Sequence, residues 1–409
     1  MFSYNLTARM DSVRASTSDS ARPVGQMPVY SPCAKRPLID RSSRCVTGTV
    51  SKSTPPRTAP YIGVHRRHIT AFGVALSLVL VLGIATFLPS DTAAVGPIVI
   101  NGNDGLAASE YVTGEGTLGN PYVIEGLDVT APEYQTALTI TGTTSYLVIR
   151  DISIFRSGSG DMMFYGIYLD SVENCAIESI DIIQCYYAIW AETGNHISIK
   201  YSQITQCGSG IYLQNTDNTE VMYNSIIGES ATGMCGYDSA GVLIHGNNIS
   251  QCLDSAVIMD HCLLSYSQIS GNVFFENVGD TADGGGVSLL LSSKIWVFNN
   301  SFIGNTLYQA YDDDGTGLDN FWNNTYDDGG GNYWSDNEVT DELTGESQSD
   351  PGGPDGIDDY PYPIPEYSYD YYPLVEPIPE FDSLLVPVSV MLALFALMLS
   401  RRSRTARTR

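Results

Sequence analysis

The sequence predicts an all-β chain, a parallel β-helix solenoid with flanking transmembrane segments, and three observations lead there. First, between residues 166 and 326 a motif of about 22 residues keeps returning, opened by a small residue and followed by apolar, any, apolar. Its copies are Gly166-Ile167-Tyr168-Leu169, Ala188-Ile189-Trp190-Ala191, Gly210-Ile211-Tyr212-Leu213, Gly233-Met234-Cys235-Gly236, Ala256-Val257-Ile258-Met259 and Gly286-Val287-Ser288-Leu289, with openers 22, 22, 23, 23 and 30 residues apart. Second, copies carry further short runs, such as Ile197-Ser198-Ile199 and Ile295-Trp296-Val297, then a polar-to-apolar step such as Gln203-Ile204 or Ser301-Phe302. Third, none of the runs has helical spacing, and the β-branched, Gly and Asn content excludes helical repeats. Three short strands cannot bury an apolar face alone, so the copies must stack. Rungs ~4.8 Å apart then put Ile167, Leu169, Ile189, Ile211 and Leu213 in inward columns and leave the residues between them facing solvent.

Charge divides the chain. Residues 1–70 carry 11 Lys or Arg against 3 Asp, residues 401–409 carry five Arg, and the stretch between has 43 acids against Arg150, Arg156, Lys200 and Lys294. So acidic a body excludes nucleic acid, because each phosphate contact needs a Lys or Arg; it suits cations, neutral glycans or a salty milieu. Two apolar runs mark the divisions. Residues 69–88 follow Arg66-Arg67-His68 without a charge and are long enough to span a bilayer; 384–399 precede Arg401-Arg402-Ser403-Arg404. Basic flanks stay cytoplasmic, so the acidic body is expected outside, membrane-anchored at the cell surface.

In chain order, 1–68 reads as a disordered basic tail, or as upstream of a true start whose signal peptide is 69–88 with an exit at Thr92-Ala93-Ala94. Signal peptide and signal-anchor both remain open. Residues 97–335 form the expected β-helix. From Pro97 it opens with an apolar strand, a Gly-rich turn series and a second strand. Residues 336–381, with 13 acids and no base between 336 and 380, read as a stiff extended stalk. Residues 384–399 are a span or a processed sorting segment, and 400–409 a basic cytoplasmic tail.

The opening PIVINGNDG (97–105) and the closing motifs GNYWSD (331–336), DGIDDYPYPI (355–364) and DYYPL (370–374) resemble those of NosD-type right-handed β-helix proteins. That family is common among archaeal surface proteins and belongs with the carbohydrate-binding and sugar-hydrolase β-helices. The resemblance covers roughly 97–374 and implies fold and location more firmly than activity. Name-giving members are periplasmic proteins linked to copper supply for nitrous oxide reductase. Pro379-Glu380-Phe381 before the last apolar run is similar to the archaeal PEF sorting signal, which implies a sortase-like processing protease as a partner.

Register places Tyr168, Trp190 and Tyr212 in one outward column and Asp170, Glu192, Gln214, Tyr237 and Asp260 in another. Three flat rings beside acids and an amide suit sugar rings, so this platform is the candidate glycan site, toward glycans or cell-envelope components. On this reading Trp190→Ala abolishes glycan retention and leaves folding intact; the bland alternative is that aromatics are good β-formers on an exposed face. Asp170 and Glu192, on neighbouring rungs, have the ~5 Å spacing of a retaining glycosidase pair. Without a lid or burial no hydrolysis is expected, so a binding or scaffolding role leads over a polysaccharide lyase or hydrolase. Calcium is the expected ion, with Asp312, Asp314, Asp355, Asp358 and Asp359 on Gly-rich turns. A copper-handling role has only Met222 and His245 on adjacent rungs, with Met259, His261 and Cys262 close in sequence, and ranks lower. Cys185 and Cys207 share one place in consecutive copies, compatible with a disulfide or with a ladder of buried thiols. Asn248, Asn299 and Asn323 open glycosylation sequons.

Overall fold

The computed structural model describes residues 94–378, apart from 133–134, 157–163, 280–283, 314–318 and 366–367. The basic tail (1–68), both apolar runs (69–88 and 384–399) and the Arg-rich end (400–409) lie outside the described residues. Among the described residues no helix is long and apolar enough to cross a membrane.

Each coil contributes one strand to each of three parallel faces. In one coil, Tyr187–Glu192 lies on face B, Asn195–Lys200 on face C and Gln203–Thr205 on face A. Counterparts one coil apart pair in parallel and in register, so three inward columns form. Ile189, Ile211, Met234, Val257 and Val287 make the column of face B. Ile199, Val221, Ile244, Ile269 and Val297 make that of face C. Ile204, Ile226, Ile249, Phe274 and Phe302 make that of face A. All are fully buried and join one core running the length of the solenoid. Tyr165–Glu178 passes unbroken from face B, where Tyr168 pairs Trp190, to face C, where Ile177 pairs Ile199.

Corners are made by single residues in the left-handed region. Tyr201, Tyr223, Gly246, Gly271 and Asn299 have φ of 55°, 57°, 66°, 66° and 52° at successive turns from face C to face A. One such residue redirects the chain, at a cost that only Gly escapes. The residue after it points inward, where corner backbone groups lack strand partners, and here the sequence places Ser202, Asn224, Asn247, Asn272, Asn300 and Asn332. Each Asn Oδ1 accepts the backbone N–H of the ladder residue one coil earlier, at 3.0 Å from Ser202, 2.9 Å from Asn224, Asn247 and Asn272, and 3.1 Å from Asn300. Each Nδ2 donates back to a carbonyl of that coil: Ile199, Val221, Ile244, Ile269 and Val297, at 2.8 to 3.0 Å. An amide supplies both halves of that exchange from two separate atoms.

The ladder ends on a carboxylate. Asp370 Oδ2 accepts from the Asn332 N–H at 2.7 Å and from Trp334 Nε1 at 2.9 Å, where a further coil would have placed the next amide. A Cβ on Gly331 would lie 1.8 Å from Asp370 Oδ1, so only glycine permits this approach. The predicted stalk is therefore corrected over 336–378, which folds back as a cap. Tyr362–Ile364 and Ser368–Asp370 pair as an antiparallel hairpin, Tyr362 stacks on Trp334 at 4.2 Å, and Leu374 bridges to Tyr333. Local composition reads as extended, but its aromatics find the open end of the core. At the other end, Gly102–Ala108 is a short helix where the sequence reads as turns, and its fully buried Leu106 closes the first coil.

A second inward ladder, at the turns from face A to face B, runs Cys185, Cys207, Glu229, Cys252, Asn277 and Asn305. Asn277 repeats the amide exchange, accepting from the Cys252 N–H at 3.1 Å and donating to Ile249 O at 3.1 Å. Glu229 is fully buried, and neither of its oxygens has a hydrogen-bond partner among the described residues. Burial pushes its carboxyl up to about 8, opposed only by the nearby Cys207 amide. A carboxyl raised in the folded state stabilises fully below its unfolded pKa, and that contribution falls as pH rises toward the folded value. Glu229→Asn, which restores the Asn277 pattern, is expected to raise the Tm, with a gap over the parent that widens from about pH 5 to about pH 8, by ~1.4 kcal/mol per unit at most. A gap of constant size across thermal melts in that range would contradict a buried titrating carboxyl.

Candidate functional site

The two outward columns expected on face B are present in register. Tyr168 pairs Trp190, Trp190 pairs Tyr212, and Asp170, Glu192, Gln214, Tyr237 and Asp260 follow on adjacent coils. The rings are not an open platform. Trp190 is 6% and Tyr212 3% exposed, in an outward apolar cluster with Tyr187, Cys235 and Ile258 that is separate from the core. Trp190 stacks on Tyr212 at 4.1 Å and meets Tyr187 edge-on at 4.7 Å and Tyr165 at 5.4 Å. Rings on neighbouring coils sit closer than a sugar could enter, so they bury one another.

The acids are also engaged. Glu192 accepts from the Tyr168 hydroxyl at 2.5 Å through Oε1 and from Trp190 Nε1 at 3.2 Å through Oε2. Burial, then the bond to Glu192 and its charge, hold the Tyr168 phenol far above its usual range. Asp170 Oδ1 accepts from Ser171 Oγ at 2.9 Å. Both Glu192 oxygens are thus spent on the aromatic column, which leaves the pair poorly placed for double displacement.

The calcium candidates behave as loop staples. Asp312 is fully buried and accepts from Asn320 Nδ2 at 2.9 Å, Trp322 Nε1 at 2.8 Å and Ser368 Oγ at 2.7 Å. Asp355 accepts from the Tyr326 hydroxyl at 2.9 Å and Gln348 Nε2 at 3.2 Å; burial raises its carboxyl, but these bonds together hold it below its ordinary value. Asp358 takes Asn337 Nδ2 at 2.6 Å, and Asp359 the backbone N–H groups of Glu342 and Leu343 at 3.1 Å. Asp314 lies outside the described residues. Among the described residues no three His, Cys, Asp or Glu side chains group as a metal cluster, and Asp312, Asp355, Asp358 and Asp359 each bind neighbouring side chains or backbone instead.

Met222 and His245 do pair on adjacent coils, but His245 Nδ1 faces Ser270 Oγ at 3.1 Å. Burial pushes the Cys262 thiol up to about 12, away from the thiolate a metal takes. Cys185 and Cys207 are stacked thiols, with the Cys185 N–H donating to Cys207 Sγ at 3.4 Å. Of the sequons, Asn248 lies in a face A strand, Asn299 sits at a corner, and Asn323 Nδ2 donates to Asn324 O at 2.8 Å.

The accessible aromatic surface is on face C, which the sequence reading passed over. Its outward row runs Ser198, Glu220, Leu243, Gln268, Trp296 and, through an isolated bridge, Phe321. Half-buried Trp296 lies 4.9 Å from Phe321, itself 38% exposed, and lines a shallow groove of about 380 Å³ with Tyr266, Ser267 and Gln268. Gln268 Nε2 donates to Ser270 Oγ at 2.8 Å, which fixes the amide beside the indole. The run Ile295-Trp296-Val297 already signalled an outward Trp between two inward residues; Phe321 has no such signal.

Trp190→Ala is expected to destabilise the chain by ~3 kcal/mol or more in urea denaturation, as core aromatic truncations do. A change under ~1 kcal/mol would restore the open-platform reading.

No curated protein matches the chain. Among solved structures it is similar to the periplasmic alginate epimerase AlgG (12% identity, 53% of this chain and 70% of that one, TM-score 0.31). It is also similar to the catalytic domain of a GH87 α-1,3-glucanase (10%, 54% and 49%, TM-score 0.34) and to the Dettilon tailspike protein (13%, 52% and 50%, TM-score 0.31), spanning about half the length of each. Residues 140–339, from the early coils to the start of the cap, match the model of the family described as "Periplasmic copper-binding protein (NosD)", a stretch of parallel β-helix.

Proposed function

We propose that this protein is a glycan-binding β-helix that holds neutral sugar chains on the outer side of face C and does not cleave them. The observation that carries the reading is the accessible Trp296 face, extended by Phe321 and bordered by the oriented Gln268 amide and the 67% exposed Tyr266. Sugar rings offer an apolar C–H face to such an indole and hydroxyls to such a rim. None of the groove-lining residues is charged, which favours a neutral ligand. The hydrolase alternative is disfavoured because Glu192 is held by Tyr168 and Trp190. Copper handling is disfavoured because His245 Nδ1 faces Ser270 Oγ and burial keeps the Cys262 thiol from the thiolate form. Display outside the cell, anchored by 69–88 or 384–399, fits the acidic body between basic ends.

Trp296→Ala should abolish retention on a neutral-glycan array while the circular dichroism and Tm stay close to the parent's, and Glu192→Gln should bind as the parent does. Equal retention by Trp296→Ala, or reducing-sugar release by the parent, would overturn the proposal.

A further inference from the structure

A second exposed aromatic station stands on the same side of the solenoid. Tyr201, 60% exposed, stacks on Tyr223 with centroids 5.5 Å apart and planes within 8°, and Tyr223 meets the His245 ring edge-on at 5.5 Å. Both tyrosines sit at left-handed corners beside face C, where a β-forming role does not account for them. In the next two coils the same corner is Gly246 and then Gly271, so the aromatic corner column stops at Tyr223 and the His245 ring continues it toward Gln268 and Trp296. A Cβ at Gly271 would meet His245 Cε1 at 2.9 Å, so glycine is required there by the His245 ring that lies over it.

Four coil steps separate the strand Asn195–Lys200, which leads into Tyr201, from the strand Ile295–Phe298, which carries Trp296. At ~4.8 Å per step the two stations are ~19 Å apart along the axis, farther than one sugar ring reaches. The face between them is electrically neutral. Lys200 and Glu220 pair with each other at 2.6 Å, and Leu243, Gln268, Trp296 and Phe321 carry no charge in a chain of net charge −26. Such a face repels neither end of an uncharged chain, whereas a polyanion would meet a strongly acidic body.

We infer that face C is an extended site for a linear, neutral oligosaccharide lying along the solenoid axis, with Trp296–Phe321 as one subsite and Tyr201–Tyr223 as the other. The inference rests on the glycan reading above and adds chain length and direction to it. Two linked contacts act as one divalent interaction, so affinity climbs once a ligand spans both.

The test is calorimetric titration of the full chain with cello- and manno-oligosaccharides of one to six units. Affinity should rise at least ~tenfold between the shortest ligand bound and the six-unit chain. Tyr201→Ala should remove that gain and leave short-chain affinity unchanged, while Trp296→Ala weakens both. Equal affinity for short and long ligands, or equal loss on both from Tyr201→Ala, would sink the two-station site while sparing glycan binding at Trp296. Binding of none of the probes by the parent would overturn the glycan reading and this inference with it.

Discussion

A solenoid of parallel coils depends on how its corners are joined. Within the faces, in-register strands satisfy one another, but at each corner the ladder of strand bonds is interrupted inside the core. A buried N–H or C=O left there costs more than a typical hydrogen bond returns. Asn224, Asn247, Asn272, Asn300 and Asn332 resolve this by accepting from one coil's N–H and donating to its carbonyl. The amides also bond to one another, Asn247 Nδ2 to Asn272 Oδ1 at 3.0 Å and Asn272 Nδ2 to Asn300 Oδ1 at 2.9 Å. A continuous row polarises each member, so register is held by a cooperative network as well as by aliphatic columns.

The ends follow from the same constraint. An uncapped terminal coil would offer both the last ladder amide and a row of unpaired strand groups to another chain. Asp370 supplies the missing acceptor to Asn332, and Trp334 and Tyr362 cover the core beneath it. A carboxyl suits this place because its oxygens accept from Asn332, Trp334 and Tyr372, bonds that partly offset the burial that pushes it up to about 7. In mid-ladder the same choice is costly. Glu229 sits between Cys207 and Cys252 with neither carboxyl oxygen hydrogen-bonded among the described residues, and burial raises it to about 8.

What the sequence disclosed, and what it hid, follows from range. Period two and the 22-residue return located the strands, the inward columns and the stacking of Cys185 on Cys207, because each is a local pattern repeated. The corners were hidden since Tyr201, Gln206, Gln251 and His261 stand at left-handed positions where glycine would have been the signal. The cap was hidden because Asp370 acts on Asn332, 38 residues away, while the intervening Pro, Tyr and acids resemble a linker. Alternation separates outward from inward but does not distinguish outward from exposed. Trp190 faces out and is 6% exposed because the rings of Tyr165, Tyr187 and Tyr212 surround it.

That distinction decides which aromatic face is available. On face B, Tyr165 and Tyr168 in one coil and Tyr187 and Trp190 in the next leave no gap, and the polar edges of Tyr168 and Trp190 turn to Glu192. Such a column binds itself and stiffens the coils it crosses. On face C the rings are dilute. Trp296 shares its row with Leu243 and Gln268, and the corner column beyond Tyr223 is emptied by Gly246 and Gly271. Trp296 meets Phe321 and Tyr201 stacks on Tyr223, yet Phe321 is 38% and Tyr201 60% exposed, so these pairs leave ring surface open to solvent. Aromatic density therefore marks buried structure here and aromatic sparsity marks the accessible surface.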